Sequence, residues 1–376
     1  MRKNVVVFFG GKSCENEISI ITGAMTANLI DAQRYEVYPV YIAQDGKMYT
    51  GRELRNTERF RACDPEKQFT RAMFDGQTLC ALKKNRLKPL AKIDCALNCC
   101  HGMGGEDGAV AGWIDLCGIA NASPDMAGSA VFMDKALTKI VAKSLGIRTL
   151  PYFRISESDY KKRGAFAVRC IEERLGYPVL IKPARLGSSI GVSVAEDRAR
   201  LLLAIEAGFA YDTLLIAEKY LADRREINCA CYRAGEELVV SPCEEPKTPH
   251  KFLTFDDKYL AGGKENRSDF PAKISKASAE LVQGYTKLLY RRMNLRGIVR
   301  ADFLLSGNEV YFNEMNTVPG SLAWYLFRKN LASFGEVLTS LIEQGICDGV
   351  AKSGKRLLTG CGVLENKTSS PKRRKS

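Results

Sequence analysis

Two carboxylates, an amide and an arginine alternate along two neighbouring apolar segments, Arg300-Ala-Asp302 and Asn313-Glu-Met-Asn-Thr-Val-Pro-Gly320. Oxygen ligands of this kind suit hard Mg²⁺ ions, which bind through a few carboxylates together with substrate phosphates. Residues 298–305 (IVRADFLL) and 309–315 (EVYFNEM) are rich in β-branched and aromatic side chains, and residues 306–308 (SGN) carry turn chemistry, so a β-hairpin is expected. Side chains alternate along each strand, which puts Arg300 with Asp302 on one face and Glu314 with Asn316 on one face. A three-residue loop makes the two faces one, whereas a two-residue loop would not. Taken alone, such a hairpin reads more plainly as a solvated edge. The rest of the chain weighs against that.

The elements that must position these groups follow an α/β pattern. Residues 4–9 (NVVVFF) form a continuous apolar run into Gly10-Gly11, and a polar helical stretch capped by Ser13 follows: a buried parallel strand, a glycine loop and a helix. Gly11-Lys12-Ser13 is no P-loop, because the position five residues before Gly11 is Val6. Residues 37–42 read as a second strand and residues 93–100 as a third that runs into His101-Gly-Met-Gly-Gly-Glu-Asp-Gly108, while residues 51–92 read as loops with one hairpin. A helix over 109–117 and a short strand near Ile119 complete an open α/β first domain with its glycine loops at the carboxyl ends of the strands, where ligands bind in such sheets. A helix over 135–145, strands over 177–182, 214–220 and 227–232, a polar stretch over 244–269 and a helix over 275–293 precede the hairpin, and a basic, disordered tail is expected beyond about Gly349.

Composition narrows the classes. With 376 residues the chain exceeds one compact core, and 45% hydrophobic with 26% charged residues is ordinary for a globular protein. No apolar run reaches membrane-spanning length and the Met1-Arg-Lys start has no signal-peptide pattern, so a cytoplasmic protein without a membrane partner is expected. Thirteen cysteines without any C-x-x-C pair fit reduced, buried thiols better than zinc, and Cys99, Cys100 and His101 are too close in sequence to close a tetrahedron easily. The net charge of +13 is spread along the chain, with a dense run only at Lys372-Arg-Arg-Lys375, so nucleic acid is not expected as a partner.

Lys135 and Lys182 stand at a helix start and a strand end, and Gly187-Ser-Ser-Ile-Gly191 offers small residues whose N–H groups can approach an oxyanion, as a phosphate cover would. Glu218-Lys219 at the end of an apolar strand could flank an adenine edge or be a surface ion pair. GGKSCENEIS (10–19), HGMGGEDG (101–108), MDK (133–135), KPARLGSSIG (182–191), EKY (218–220), DDKY (256–259), RAD (300–302) and NEMNTVPG (313–320) together resemble the D-alanine–D-alanine ligases of the ATP-grasp superfamily, in the family's order, over roughly residues 3–342.

The resemblance implies a three-domain ATP-grasp architecture, α/β with an α+β C-terminal part: an N-terminal substrate domain (1–122), a central subdomain (123–212), a C-terminal subdomain with the metal site (213–350) and the basic tail (351–376). It implies ATP binding by Lys135, Lys182, Glu218, Lys219, Leu221, Glu226 and Asn313, and two Mg²⁺ (or Mn²⁺) ions on Asp302, Glu314 and Asn316. Glu15 would take the first D-alanine's ammonium, linked to Ser188 and Tyr259 under a lid that also carries Lys258. Arg300 and the Gly320 N–H would face the oxyanion. The implied reaction joins two D-alanines through an acylphosphate for peptidoglycan synthesis, in a homodimer. The chain departs from the family after the last motif: in Pro319-Gly-Ser-Leu-Ala-Trp-Tyr325 the family's usual hydroxyl residue is missing, leaving Tyr325, Ser321 and His101 as candidates for the second substrate. One residue is also added between Glu218 and Glu226. A different second substrate such as D-serine, or a basic nucleic-acid-binding protein on a nucleotide-type fold, are the competing readings.

Overall fold

The computed structural model describes residues 2–247, 268–327 and 330–355. Its first sheet has eight strands in the order β6-β5-β4-β3-β2-β1-β7-β8: β1 (Lys3–Gly10), β2 (Tyr35–Ile42), β3 (Met48–Thr50), β4 (Thr70–Asp75), β5 (Thr78–Lys83), β6 (Arg86–Lys92), β7 (Cys95–Asn98) and β8 (Ala120–Asn121). β1 pairs in parallel with β2 and β7, and Val5, Val6, Val7, Phe8 and Phe9 are all fully buried. A parallel strand covered on both faces has no solvent side to mark, so its sequence shows an unbroken apolar run. Gly10 ends the strand at φ +93°, where a Cβ would meet the Ile42 carbonyl oxygen at 2.3 Å. The chain can turn there only without a side chain.

Residues 51–92 differ from the expected loops. β4, β5 and β6 extend the sheet by successive antiparallel pairings. β6 is exposed along nearly its whole length, so no apolar alternation marks it in the sequence. The Ser13 cap also differs. The helix α1 (Asn16–Leu29) has Glu15 at its N-cap position without a side-chain cap bond, and the Ser13 hydroxyl instead donates to the His101 carbonyl at 2.7 Å. Ser13 thus ties two glycine-rich loops together.

The second sheet, in the order β11-β10-β12-β9, contains β9 (Tyr152–Ser156), β10 (Val179–Pro183), β11 (Ser193–Ala195) and β12 (Leu214–Lys219). β12, which the sequence division groups with the C-terminal part, pairs with β10 and β9 and therefore belongs to this middle sheet. Val179 and Ile181 enter the core under the helices Glu157–Leu175 and Arg198–Phe209, so the alternate residues Leu180 and Lys182 face the opposite way.

The third sheet, in the order β14-β13-β17-β18, contains β13 (Arg225–Ala234), β14 (Glu237–Val240), β17 (Ile298–Ser306) and β18 (Glu309–Asn316); β15 (Glu245–Pro246) and β16 (Ser268–Asp269) form a separate short pair. Val299, Ala301, Phe303 and Leu305 enter the core with Val282 and Leu289 of the helix Lys276–Arg292, which Ser275 caps by accepting from the Ser278 N–H at 3.1 Å. Arg300, Asp302 and Leu304 are left on the other face. The helix Lys135–Ser144 joins this layer through Ala142, although its sequence position suggests the central unit. The chain also remains regular past Gly349, because the helix Gly335–Ser353 packs Val337, Leu338, Leu341 and Ile342 into the first domain's core.

The hairpin loop is not the expected three-residue one. Ser306 pairs with Glu309, so Gly307 and Asn308 alone make the turn, with Gly307 at φ +56°. Alternation is restored by a β-bulge: Phe303 faces Phe312, Asp302 faces Glu314, and Asn313 is the extra residue between them. The core side of β18 accordingly reads Val310, Phe312, Met315.

Candidate active site

Two clefts meet between the three sheets. The first, of about 710 Å³, is bounded by Lys182 and Leu180 from β10, Glu218 and Lys219 from β12, Leu221 and Glu226 beyond it, and Leu304, Asn313 and Glu314 from the hairpin. Lys182 donates to Glu218 (2.6 Å) and to the bulged Asn313 Oδ1 (3.2 Å). Lys135 donates to the Leu186 carbonyl at 2.7 Å and stands 3.6 Å from Glu314. It holds that place because Asp134 caps the helix by accepting from the Ala136 and Leu137 N–H groups. All seven nucleotide candidates, Lys135, Lys182, Glu218, Lys219, Leu221, Glu226 and Asn313, line this cleft.

Glu218 is 1% exposed and sits between Lys182 and Lys139, the latter fully buried. Burial alone would raise its carboxyl, but the two lysines outweigh that and hold it below the ordinary carboxylate range. Burial lowers the Lys139 ammonium pKa in turn, so the cation presented to the cleft is Lys182, placed where an anion would lie.

The second cleft, of about 1510 Å³, is lined by Glu15, His101, Ser188, Arg300, Asn316, Gly320, Ser321 and Tyr325 among others. It shares Gly187, Ser188 and Glu314 with the first. Glu15 Oε1 accepts from the Ser188 hydroxyl, while the buried Oε2 has no hydrogen-bond partner among the described residues. A buried carboxylate oxygen left open is costly unless a cation completes it. It therefore fits an ammonium ligand.

Arg300 forms a two-pronged pair with Asp302 (2.7 and 2.8 Å) and donates to the Tyr325 hydroxyl at 3.3 Å. Burial works against its charge, yet Asp302 and Tyr325 hold the guanidinium protonated well above its usual range. Asn316 donates to Asp302 at 2.9 Å, so Asp302, Glu314 and Asn316 present oxygen-bearing groups on one face. No cluster of three His, Cys, Asp or Glu ligands exists among the described residues, so a full protein cage for a metal is absent there. Two carboxylates and one amide are the partial, all-oxygen set that leaves positions for phosphate and water, which fits Mg²⁺.

His101 is buried and its ring meets the Thr22 hydroxyl at 2.9 Å, which in turn accepts from the Ser321 N–H at 3.2 Å. Burial holds its imidazole down to about 4, so it is neutral near pH 7. It supports the turn that carries Gly320. Lys258 and Tyr259 lie outside the described residues.

Three residues of the site escape sequence reasoning. Glu106, in the 101–108 glycine loop, accepts from the N–H groups of Gly102 (2.8 Å) and Val318 (3.3 Å), and burial together with the Glu15 charge pushes its carboxyl up to about 8. Lys139 lies four residues after Lys135, a spacing that puts both on one helix face, so a signal existed. Glu244 has none: an isolated antiparallel bridge to Asn228 brings it to the second cleft.

Known proteins share this plan. The family described as D-ala D-ala ligase N-terminus matches residues 4–123, and D-ala D-ala ligase C-terminus matches residues 141–346. A D-alanine--D-alanine ligase of Thermosipho melanesiensis is 34% identical over 346 residues, 91% of this chain and 93% of that protein. Among solved structures, the D-alanine-D-alanine ligase of Helicobacter pylori superposes with a TM-score of 0.74 at 27% identity, covering 91% of this chain and 98% of that one. The VanG D-Ala:D-Ser ligase of Enterococcus faecalis gives a TM-score of 0.77 at 25% identity, covering 92% and 100%.

Proposed function

Since the chain belongs to the D-alanine–D-alanine ligase family, we propose how its own residues carry out that family's reaction. The protein is an ATP-dependent ligase that joins two D-alanine molecules, and the family's place in peptidoglycan precursor synthesis goes with it. One observation carries the residue-level reading: the two clefts share Gly187, Ser188 and Glu314, so a nucleotide in one can meet an acid in the other.

A carboxylate is a poor electrophile, and phosphorylation by ATP turns it into an acylphosphate. Lys135 and Lys182 would hold the nucleotide's phosphates, with Asn313 orienting Lys182, while Lys219, Leu221 and Glu226 border the base and ribose. Glu15, steadied by Ser188, would bind the first D-alanine's ammonium and set its carboxylate toward the shared wall. Asp302, Glu314 and Asn316 would hold divalent metal, two Mg²⁺ ions in our reading, which when bound neutralises charge on the transferring phosphoryl group. Arg300 and the Gly320 N–H would stabilise the tetrahedral oxyanion after the second amine attacks. Tyr325, fixed on Arg300, would meet the second substrate's carboxylate, with Ser321 as the other candidate. Lys258 and Tyr259 complete the set by resemblance as parts of a cover that excludes water.

The three sheets support a three-part division close to 1–122, 123–219 and 220–350, with the middle unit extended to include β12. A homodimer through the first domain follows from the resemblance and is open to light scattering. No helix among the described residues is long and apolar enough to cross a membrane.

The test is ATP-dependent phosphate release with Mg²⁺ and D-alanine alone, with the product identified by mass. D-alanyl-D-alanine is the expected product. Release that requires D-serine or D-lactate beside D-alanine would reject the assignment of the second site.

A further inference from the structure

The second amino acid arrives as an ammonium ion and can attack an acylphosphate only as a free amine, so one proton must leave it inside a cleft built to exclude water. Among the described residues four carboxylates line that cleft: Glu15, Glu106, Glu244 and Glu314. Three are engaged. Glu15 holds Ser188, Glu106 accepts from two backbone N–H groups, and Glu314 faces Lys135.

Glu244 is different. It is 7% exposed, yet it shares the cleft wall with Arg300, Gly320 and Tyr325, where the second substrate has to lie. Its backbone is locked to Asn228 by reciprocal bonds of 2.8 and 2.9 Å, and Asn228 Nδ2 donates to its Oε2 at 3.3 Å. The flanking Cys229 and Cys243 enter the core, so alternation directs Asn228 and Glu244 to the cleft side. The neighbouring Glu245 is satisfied by Arg225 at 2.9 Å and Lys247 at 2.7 Å, whereas no cation forms an ion pair with Glu244 among the described residues. A buried carboxylate held by an amide and the Ser268 side chain, with no ion pair among the described residues, is destabilised until a cation reaches it.

Resting on the ligase reading above, we propose that Glu244 binds the ammonium group of the second amino acid and accepts the proton that frees its amine. The ledger closes: one ammonium proton passes to Glu244, and the amine nitrogen forms the C–N bond. The acyl C–O bond to phosphate then breaks, and a second nitrogen proton leaves with inorganic phosphate. The third stays on the amide. Burial holds the Glu244 carboxyl above the usual carboxylate range even with Arg300 nearby, which brings its proton affinity nearer to that of an amine.

The test compares Glu244→Gln with the unaltered chain using two nucleophiles, D-alanine and hydroxylamine. Hydroxylamine is largely unprotonated at neutral pH and needs no base. The glutamine keeps a carbonyl for Asn228, and hydroxamate formation reports that the fold and the first phosphorylation survive. Dipeptide formation should fall about a hundredfold, with hydroxamate formed within about twofold of the unaltered chain. No loss with either nucleophile overturns the proposal, and so does equal loss with both that Glu244→Asp repeats. Should Glu244→Gln lose both, Glu244→Asp decides: it keeps the base, so selective loss of the dipeptide supports the role and parallel loss rejects it. An unaltered chain that forms neither product from D-alanine would instead overturn the ligase reading itself.

Discussion

Asp302 and Glu314 face each other across the hairpin because Asn313 drops out of the ladder between them. With a two-residue turn and no bulge, Asp302 would oppose Asn313, and Glu314 would point into the core beside Phe312. The bulge thus places both carboxylates on the cleft side and frees the Asn313 side chain to reach Lys182 at 3.2 Å. Bulges commonly re-aim side chains in this way at active sites.

Replacing Asp302 by Asn keeps the shape and removes the charge that pairs with Arg300 and that, on the proposed assignment, a metal would use. Turnover should fall about a thousandfold or more, equivalent to several kcal/mol of transition-state stabilisation. Phosphate release over a Mg²⁺ titration checks this. Full activity at any Mg²⁺ concentration would sink the metal assignment.

Tyr325→Phe removes a hydroxyl bonded to Arg300 and keeps the ring. A hydrogen bond to a charged group is worth about 1.5–3 kcal/mol, so the KM for the second D-alanine should rise roughly tenfold or more while the KM for ATP holds. Steady-state kinetics with each substrate varied separately would show it. An unchanged KM for the second D-alanine would shift the role to Ser321.

Lys139→Met should destabilise the protein by about 3 kcal/mol, because it strips one partner from a fully buried pair and leaves Glu218 with Lys182 alone. Adding Glu218→Gln should recover part of the loss. Urea unfolding of the two variants measures both. A double variant no more stable than the single one would show that Lys139 matters by packing rather than charge.

His101 gives a pH dependence of definite sign. Its folded value of about 4 lies below the ordinary 6.5, so on lowering the pH the unfolded chain takes up a proton before the folded one does. Stability from this group is fully present above about pH 6.5 and declines toward about pH 4, by roughly 3 kcal/mol at 1.36 kcal/mol per pH unit. The difference in unfolding free energy between the unaltered chain and His101→Asn, followed across that window, isolates the effect from Glu106. A flat difference would contradict it.

Much of the candidate site was legible in the order of residues. Strand alternation pairs Arg300 with Asp302 and Glu314 with Asn316, glycine and serine at 187–191 mark a close backbone approach, and the ordered motifs point to the ligase family before any coordinates. These are local signals, set by the period of a strand or the conformational freedom of a glycine. What failed was the count of loop residues at Gly307-Asn308, since turn length and bulge position compensate each other and only the pairing across the hairpin tells them apart. In 51–92 only one hairpin was legible where three strands stand, and the edge strand β6 has no buried face to pattern it. The nearness of Glu244 to Arg300, of Lys139 to Glu218 and of Glu106 to Glu15 belongs to the tertiary structure alone. Each joins elements far apart in the chain, and burial changes what those charges do only once the sheets have closed around them.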